Sequence, residues 1–239
     1  MQKVFRNEIK YLISNTDKPL LIALLEKHLT PDTYNINHGY FIRSVYFDSH
    51  DDECLFEKNA GISLRNKYRI RTYGIDADTV KLEIKQKRSN YSRKLSEAIP
   101  RECAEAMIDG DRDYMSHYLH SGQGGDVYKQ TFAAFILGAY TPKVTVDYQR
   151  LAYLFAGTDL RITVDSNIRG SCTEHDIFSR RMVTIPVYTE NKFVLEAKYL
   201  REYPEHIRVL FNGIAAERWA VSKYTLGRRL SKYRNWEDN

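Results

Sequence analysis

From Ser63 to Tyr73 the chain alternates strictly, with Arg65, Lys67, Arg69 and Arg71 on one parity and Leu64, Tyr68 and Ile70 on the other. A period of two is the period of a β-strand, whose successive side chains point to opposite faces, so four cations share one face. Four more segments repeat the pattern. Val4 to Ile13 sets Arg6, Glu8 and Lys10 against Phe5, Ile9 and Tyr11, and Thr79 to Lys87 sets Lys81, Glu83, Lys85 and Lys87 against Leu82 and Ile84. Leu160 to Ile168 aligns Arg161, Thr163 and Asp165, and Lys192 to Tyr199 aligns Lys192, Glu196 and Lys198. These five faces hold twelve bases and four acids. A solvated polar face is the simpler account of any one strand. Taken together they form a sheet in which like charges oppose one another across strands, which is destabilising unless something compensates. A polyanion threaded among the strands would do so.

The remaining elements set the fold class. Phe41 to Phe47, Lys143 to Tyr153 and Met182 to Val187 also read as strands. Asp17 to Leu29 reads as a helix, with Asp17 as cap and Pro19 in the first turn. Arg101 to Tyr140 reads as helical, interrupted at Ser121 to Gly125, and Pro204 to Lys232 as a terminal helix broken near Asn212-Gly213. The order strands, helices, strands, helix predicts one α+β domain over residues 1–239, built on a large antiparallel sheet; about eight strands suffice to close a β-barrel. With 43% hydrophobic and 28% charged residues, a disordered chain and a membrane channel are both excluded. The net charge of +5 is concentrated, with six bases between Lys81 and Lys94 and six between Arg218 and Arg234. Arg88, Arg93 and Lys94 are expected on an exposed rim. The N-terminus shows no apolar signal region, and Phe132 to Tyr140 reaches only about half a membrane span. Three well-separated cysteines read as small buried hydrophobes in a reducing, cytoplasmic setting.

Phosphate suits such faces, because Arg forks and Lys point charges both match its oxygens. Carboxylates inside a phosphate site repel the ligand unless a divalent metal joins them, and Mg²⁺ or Mn²⁺ is held by one or two carboxylates plus substrate phosphates. Glu8, Glu83 and Glu196, one on each of three basic strands, fit that role, with Asp165 a less suited fourth. No general base stands out: His117 and His120 read as solvated helix surface, and Gly122 to Gly125 is not followed by Lys-Ser/Thr. A non-catalytic binder of polyphosphate, inositol phosphate or RNA is the rival from another class, and RNA stays in contention because Lys67 to Tyr73 interleaves basic and aromatic residues as stacking platforms do. The Glu residues within the same faces and the absence of an RNA-recognition signature weigh against it. The 18 tyrosines are read as strand residues packing under the helices.

Six motifs occur in order: Arg6-Asn-Glu8-Ile-Lys10-Tyr11, Ser44-Val-Tyr-Phe-Asp48, Tyr68-Arg-Ile-Arg71, Lys81-Leu-Glu-Ile-Lys85, Val194-Leu-Glu196-Ala-Lys198-Tyr199 and Ser222-Lys223-Tyr224. Together, over Val4 to about Tyr233, they resemble the vacuolar transporter chaperone (VTC) domain, the polyphosphate polymerase module of the CYTH-like triphosphate tunnel metalloenzymes. The resemblance implies an antiparallel barrel enclosing a basic tunnel, flanked by helices, with a C-terminal helix near one mouth. It implies transfer of the γ-phosphate of ATP onto inorganic polyphosphate with Mn²⁺ or Mg²⁺, and no nucleic-acid partner. Lys10, Arg69, Arg71, Lys85, Arg150 and Lys198 would grip phosphate, Lys223 would be offered by the terminal helix, and Glu196 would lead the metal carboxylates with Glu83 and Glu8. Arg6, Lys67, Lys81 and Lys87 share these faces and are expected to bind phosphate; Arg161 is placed there by alternation alone. The hydrolytic branch begins Glu-x-Glu-x-Lys, whereas this chain reads Arg6-x-Glu8-x-Lys10, which favours holding a long anion over two-metal hydrolysis of tripolyphosphate or a nucleoside triphosphate. The SPX domain and membrane helices of larger relatives are absent from this sequence.

Overall fold

A computed structural model describes residues 7–35, 39–89, 91–188, 191–200, 203–209, 211, 214, 217–219 and 222–232. In chain order these form β1 (Asn7–Ser14), α1 (Lys18–His28), β2 (Thr30–Pro31), β3 (Tyr40–Asp48), α2 (Glu53–Asn59), β4 (Leu64–Thr72), β5 (Thr79–Arg88) and β6 (Tyr91–Pro100). There follow α3 (Arg101–Asp109), α4 (Arg112–His120), α5 (Asp126–Leu137), β7 (Thr141–Leu154), β8 (Arg161–Ser171), β9 (Ile185–Pro186), β10 (Lys192–Tyr199), α6 (Glu205–Val209), β11 (Glu217–Arg218) and α7 (Lys223–Lys232). Among the described residues the strands make one sheet in the order β11-β1-β10-β8-β7-β3-β4-β5-β6, with β2 on β7 and β9 on β8. Every pairing is antiparallel.

The fold is α+β with a large antiparallel sheet, as the periodicity predicts, and it departs from the expectation in five places. Tyr91–Pro100, which the sequence does not mark as a strand, is a full edge strand that pairs along the whole of β5; Arg88 and Lys94 are exposed as expected, and Arg93 is half-buried. The strand's own sequence hides it, because Ser92, Lys94 and Ser96 face one way and Arg93, Leu95 and Glu97 the other, so neither face reads as apolar. The helix α2 is only 7 residues long, too short for a helical repeat to show in the sequence. Met182–Val187 shrinks to the two-residue β9, and the terminal helix becomes α6, β11 and α7; the expected break at Asn212-Gly213 lies outside the described residues. Finally, no ladder joins β1 to β6 among the described residues. The expected closed barrel is therefore a curled sheet whose strands β1 and β6 approach with Cα atoms within 8 Å. The curl is tight enough for Lys85 of β5 to reach both carboxylate oxygens of Glu8 on β1, at 2.9 and 2.8 Å.

Alternation decides what covers the sheet. Val45, Phe47, Tyr68, Ile70, Val80, Leu82 and Ile84 form one outward apolar face, buried by α3, α4 and α5 through Cys103, Met107, Met115, Tyr128 and Phe135. Ile13, Ile162, Val164, Phe193 and Leu195 form another, buried by Leu21 and Leu25 of α1 with Ile207 and Phe211. The cationic positions between them are thereby turned inward. Cys54 and Cys103 are buried free thiols and Cys172 is half-buried; burial pushes Cys54 and Cys103 up to about 12. His117 and His120 lie exposed on α4. No helix among the described residues is long and apolar enough to cross a membrane.

One end of the curled interior is apolar. Leu12, Ile42, Val144, Val146, Ile168 and Val194 pack there against Tyr224 and Leu226 of α7. A mid-helix glycine, Gly227, allows this approach, because a Cβ there would meet Val144 Cγ2 at 2.5 Å. Helix propensity alone favours alanine over glycine by about 1 kcal/mol. Here the reverse is expected: Gly227→Ala overpacks the contact and lowers stability by about 1–3 kcal/mol, read as a fall in the urea midpoint at unchanged slope. A stabilised variant would show that α7 does not seat on β7 in this way.

Candidate functional site: a cationic cavity

The curled sheet and α7 enclose a cavity of about 670 Å³. Its lining includes twelve Lys and Arg against two Glu, Glu8 and Glu196. Of the residues singled out from sequence, Lys10, Lys67, Arg69, Arg71, Lys85, Lys87, Arg150, Lys198 and Lys223 line it, drawn from β1, β4, β5, β7, β10 and α7. Three do not. Lys81 keeps Lys85's parity and is paired to the lining residue Arg71, yet it is exposed and does not line the cavity. Arg161 is drawn away to Asp32 at 2.8 Å and the Tyr40 hydroxyl at 3.4 Å. Glu83 is 0% exposed and sits behind the wall. Arg6 lies outside the described residues.

Four inner carboxylates hold the cations in place. Glu83 accepts from Arg69 Nε at 2.7 Å and Lys94 Nζ at 2.7 Å, with Arg71 at 3.9 Å. Burial pushes this carboxyl up, but Arg69, Arg71 and Lys94 together hold it far below the usual range. Asp165, also 0% exposed, accepts from Arg150 Nε at 2.6 Å and Nη2 at 2.8 Å and pairs with Lys223 of α7. It too is held far down against burial, by Arg150 and Lys223. Neither carboxylate lines the cavity, so the structure does not bring Glu83, or the minor candidate Asp165, to where a substrate-bound metal would sit, which corrects the expectation for both. Each is a structural counter-ion.

Glu8 and Glu196 differ, since both line the cavity. Glu8 pairs with Lys10 at 2.7 Å and Lys85 at 2.8 Å, and Glu196 with Lys198 at 3.0 Å. Burial and the Glu196 charge push Glu8 up, yet Lys10, Lys85 and Lys198 bring it down to about 2. Glu196 is held well below the carboxylate range against burial, by Lys198, Lys10, Lys85 and Lys223. Two neighbouring ionised carboxylates in a phosphate-sized cavity fit a hard divalent cation that takes its other ligands from substrate oxygens. They are too few to hold one alone, and among the described residues no group of three or more His, Cys, Asp or Glu could do so.

Three tyrosines have a place in the site that the sequence does not assign them, although Tyr46 and Tyr224 lie within the quoted motifs. Tyr46, Tyr148 and Tyr224 line the cavity instead of packing under the helices. Tyr148 accepts from Arg71 at 2.8 Å, and its ring lies 5.2 Å from Arg150 and 4.7 Å from Lys223. Tyr46 accepts from Arg69 at 3.2 Å. Rings and hydroxyls orient the guanidinium forks without adding charge. Alternation places tyrosines only by parity, and nothing in the sequence says which parity meets Arg from another strand. The opposite correction applies to the RNA platform: Tyr68 is only 8% exposed and packs outward on Phe135 and Tyr140. Interleaving in sequence is separation in a strand.

Helix α7 is latched where it delivers Lys223. Asp48 accepts from the backbone N–H groups of Ser49, Cys54 and Leu55, capping α2, and from the Tyr224 hydroxyl. Arg228 donates to Asp52 Oδ1 at 2.8 Å. Ser222, just before α7, accepts from Lys67 at 2.9 Å. Burial, together with Lys85, Lys10, Lys58 and Arg65, pushes Lys67 down to about 7. Below that pH the lysine is already protonated in the free protein and anion affinity is flat. Above it, a bound anion must bring a proton with it, so affinity falls by up to about tenfold per pH unit. Titrating tripolyphosphate from pH 6 to 9 is expected to show this decline. In Lys67→Arg the onset moves up towards 8, the value to which burial and nearby lysines bring Lys85 against the pull of Glu8 and Glu196. An identical onset in that variant would remove Lys67 from the site.

Comparison with known proteins bears on this geometry. A family model described as the VTC domain matches residues 5–232. No curated protein matches the sequence. Among solved structures, the candidate adenylyl cyclase HpAC1 from Hippeastrum, whose dominant activity is that of a triphosphatase, aligns with a TM-score of 0.57 at 16% identity, over 95% of this chain and 96% of its own. A candidate adenylate cyclase from Bacillus halodurans aligns with a TM-score of 0.52 at 16% identity, over 89% of each chain. At such identity the likeness shows that this chain shares the fold of these proteins.

Proposed function

The chain belongs to the VTC domain family, and from that premise we propose that it is a polyphosphate polymerase, moving the γ-phosphate of ATP onto inorganic polyphosphate held in the cavity, which is read as a tunnel. The observation that carries this reading is the surplus of cations on the cavity wall after its carboxylates are paired. Such a surplus suits an anion with a charge on every repeat.

The transfer is one of positioning and electrostatics. A terminal oxyanion of the chain attacks the γ-phosphorus, forming one P–O bond. The bond to the leaving group breaks, and ADP departs with the electron pair. The nucleophile is already ionised, so no base is needed. Arg69 and Arg71, held by Glu83, Tyr46 and Tyr148, present donors to non-bridging oxygens. Lys10, Lys85, Lys198 and Lys223 supply point charges around them, and Arg150 is aimed by Asp165. Mn²⁺ or Mg²⁺, held by Glu196 and Glu8 with substrate oxygens, would supply charge neutralisation of the transferred group. The cytoplasmic setting belongs to the same proposal and is supported by Cys54 and Cys103, which are buried as thiols.

A triphosphatase is the second reading, favoured by the activity of the Hippeastrum protein. Water would then replace phosphate as acceptor and would need a base. The two carboxylates that line the cavity are held ionised, but each is already paired to lysine. Incubating the protein with ATP and Mn²⁺ or Mg²⁺, and in parallel with tripolyphosphate, distinguishes the two by product length. Long chains are expected; free phosphate as sole product would select the hydrolase, and no turnover a binder. Glu196→Gln is expected to lower turnover by about 100-fold or more while polyphosphate still binds. Full activity in that variant would overturn the metal assignment.

A further inference from the structure

The cavity has a gradient of exposure that bears on its substrate. Arg71, Arg150, Glu196, Tyr46, Tyr148 and Tyr224 are buried at its floor, whereas Gly61, Arg218 and Trp219 are exposed at its rim. A triphosphate lowered into this gradient places its phosphates against the buried cations and leaves its nucleoside at the rim. The three tyrosines of the floor are less than 5% exposed, and their rings face Arg or Lys. Trp219 is 49% exposed, the single aromatic among the lining residues with an open face.

Its placement is specified by backbone. Arg218 of β11 pairs with Tyr11 of β1, and the Trp219 N–H donates to the Lys10 carbonyl at 3.0 Å, extending that ladder by one residue. Neighbours across an antiparallel ladder share a face, so the indole is set beside the Lys10 side chain, which lines the cavity. Gly61 lines the same rim, and a Cβ there would meet nothing within 4 Å, so the space is open to a planar group.

We propose that Trp219 is the stacking wall of a nucleoside subsite at the rim, so that this cavity distinguishes a nucleoside triphosphate from a bare triphosphate by one base–indole stack. This rests on the reading of the cavity as a site for ATP and polyphosphate, and it deepens that reading: the donor is recognised at the rim by its base, and the acceptor, having none, is held by charge alone. Stacking uses a π-face that every base has, so adenine and guanine nucleotides are accepted with similar affinity.

Equilibrium binding tests this without turnover. The probes are the β,γ-imido analogue of ATP and tripolyphosphate, titrated into the wild-type protein, Trp219→Ala and Trp219→Phe. Trp219→Ala is expected to bind the analogue about tenfold more weakly, the loss for one base–aromatic stack, with tripolyphosphate affinity unchanged, and Trp219→Phe to retain most of the wild-type affinity. A second readout uses indole fluorescence in a Trp236→Phe background, which leaves Trp219 alone: quenching by the analogue but not by tripolyphosphate is expected. The proposal fails if Trp219→Ala shifts both probes equally or neither, or if tripolyphosphate quenches as strongly as the analogue. Its failure is separable from that of the polymerase reading, which is decided by product length. A protein that makes no long chains yet shows the selective loss retains the subsite, and one that makes long chains without it does not.

Discussion

Buried carboxylates set between cations are what the rest of this molecule depends on. Without them, Arg69, Arg71, Arg150, Lys10 and Lys85 would be inward charges removed from water with nothing opposite, an arrangement that costs several kcal/mol per ion. Glu83 joins β5 to Arg69 and Arg71 of β4 and to Lys94 of β6, so one carboxylate secures three adjacent strands. Asp165 joins β8 to β7 and α7. Glu8 joins β1 to β5 across the interior, which fixes how far the sheet curls. Too few acids would leave the cations to force the strands apart, and complete neutralisation would leave no anion site. The structure stops between these limits. Its surplus faces the cavity, where Lys67 has cations on several sides and the Ser222 hydroxyl as hydrogen-bond partner.

The helical elements around the cavity hang from a second buried acid group. Asp48 ends β3, caps α2 and receives Tyr224, so the Lys58 side of the rim and the Lys223 side are fixed to one point. Asp52, in the left-handed region at φ 58, then binds Arg228 one turn further along α7. A short polar junction thus sets the helix that caps the apolar end of the interior, and Gly227 sets its depth. Folding and site assembly are the same event here, because the side chains that hold α7 in place flank the one that reaches Asp165.

Much of this was legible in the sequence, for a definite reason. Strand parity is a local property, and parity assigns Lys10, Lys67, Arg69, Arg71, Lys85, Lys87 and Lys198 to inward positions before any contact is known. The same rule misplaces Lys81 and Arg161. Parity says which face a residue takes but not where its long side chain ends: both are paired to lining residues, Arg71 and Lys198, yet Lys81 stays exposed and Arg161 is taken by Asp32. It also misreads Tyr91–Pro100, whose mixed faces arise because Lys94 and Glu97 act on neighbours remote in sequence: Lys94 on Glu83, and Glu97 on the N-terminal amides of α5.

The sequence by itself determined the strands, their cationic faces and the need for an anion, since each follows from a repeat of two and from charge counted along it. The tertiary structure alone decided which acids pair with Arg and which remain available in the cavity. It made Glu83 and Asp165 counter-ions, left Glu8 and Glu196 lining the site, and put Trp219 at the rim. The physical reason is reach. A carboxylate's role depends on which cations lie within about 3 Å of it, and those cations come from strands and a helix that the chain brings together only when the sheet curls.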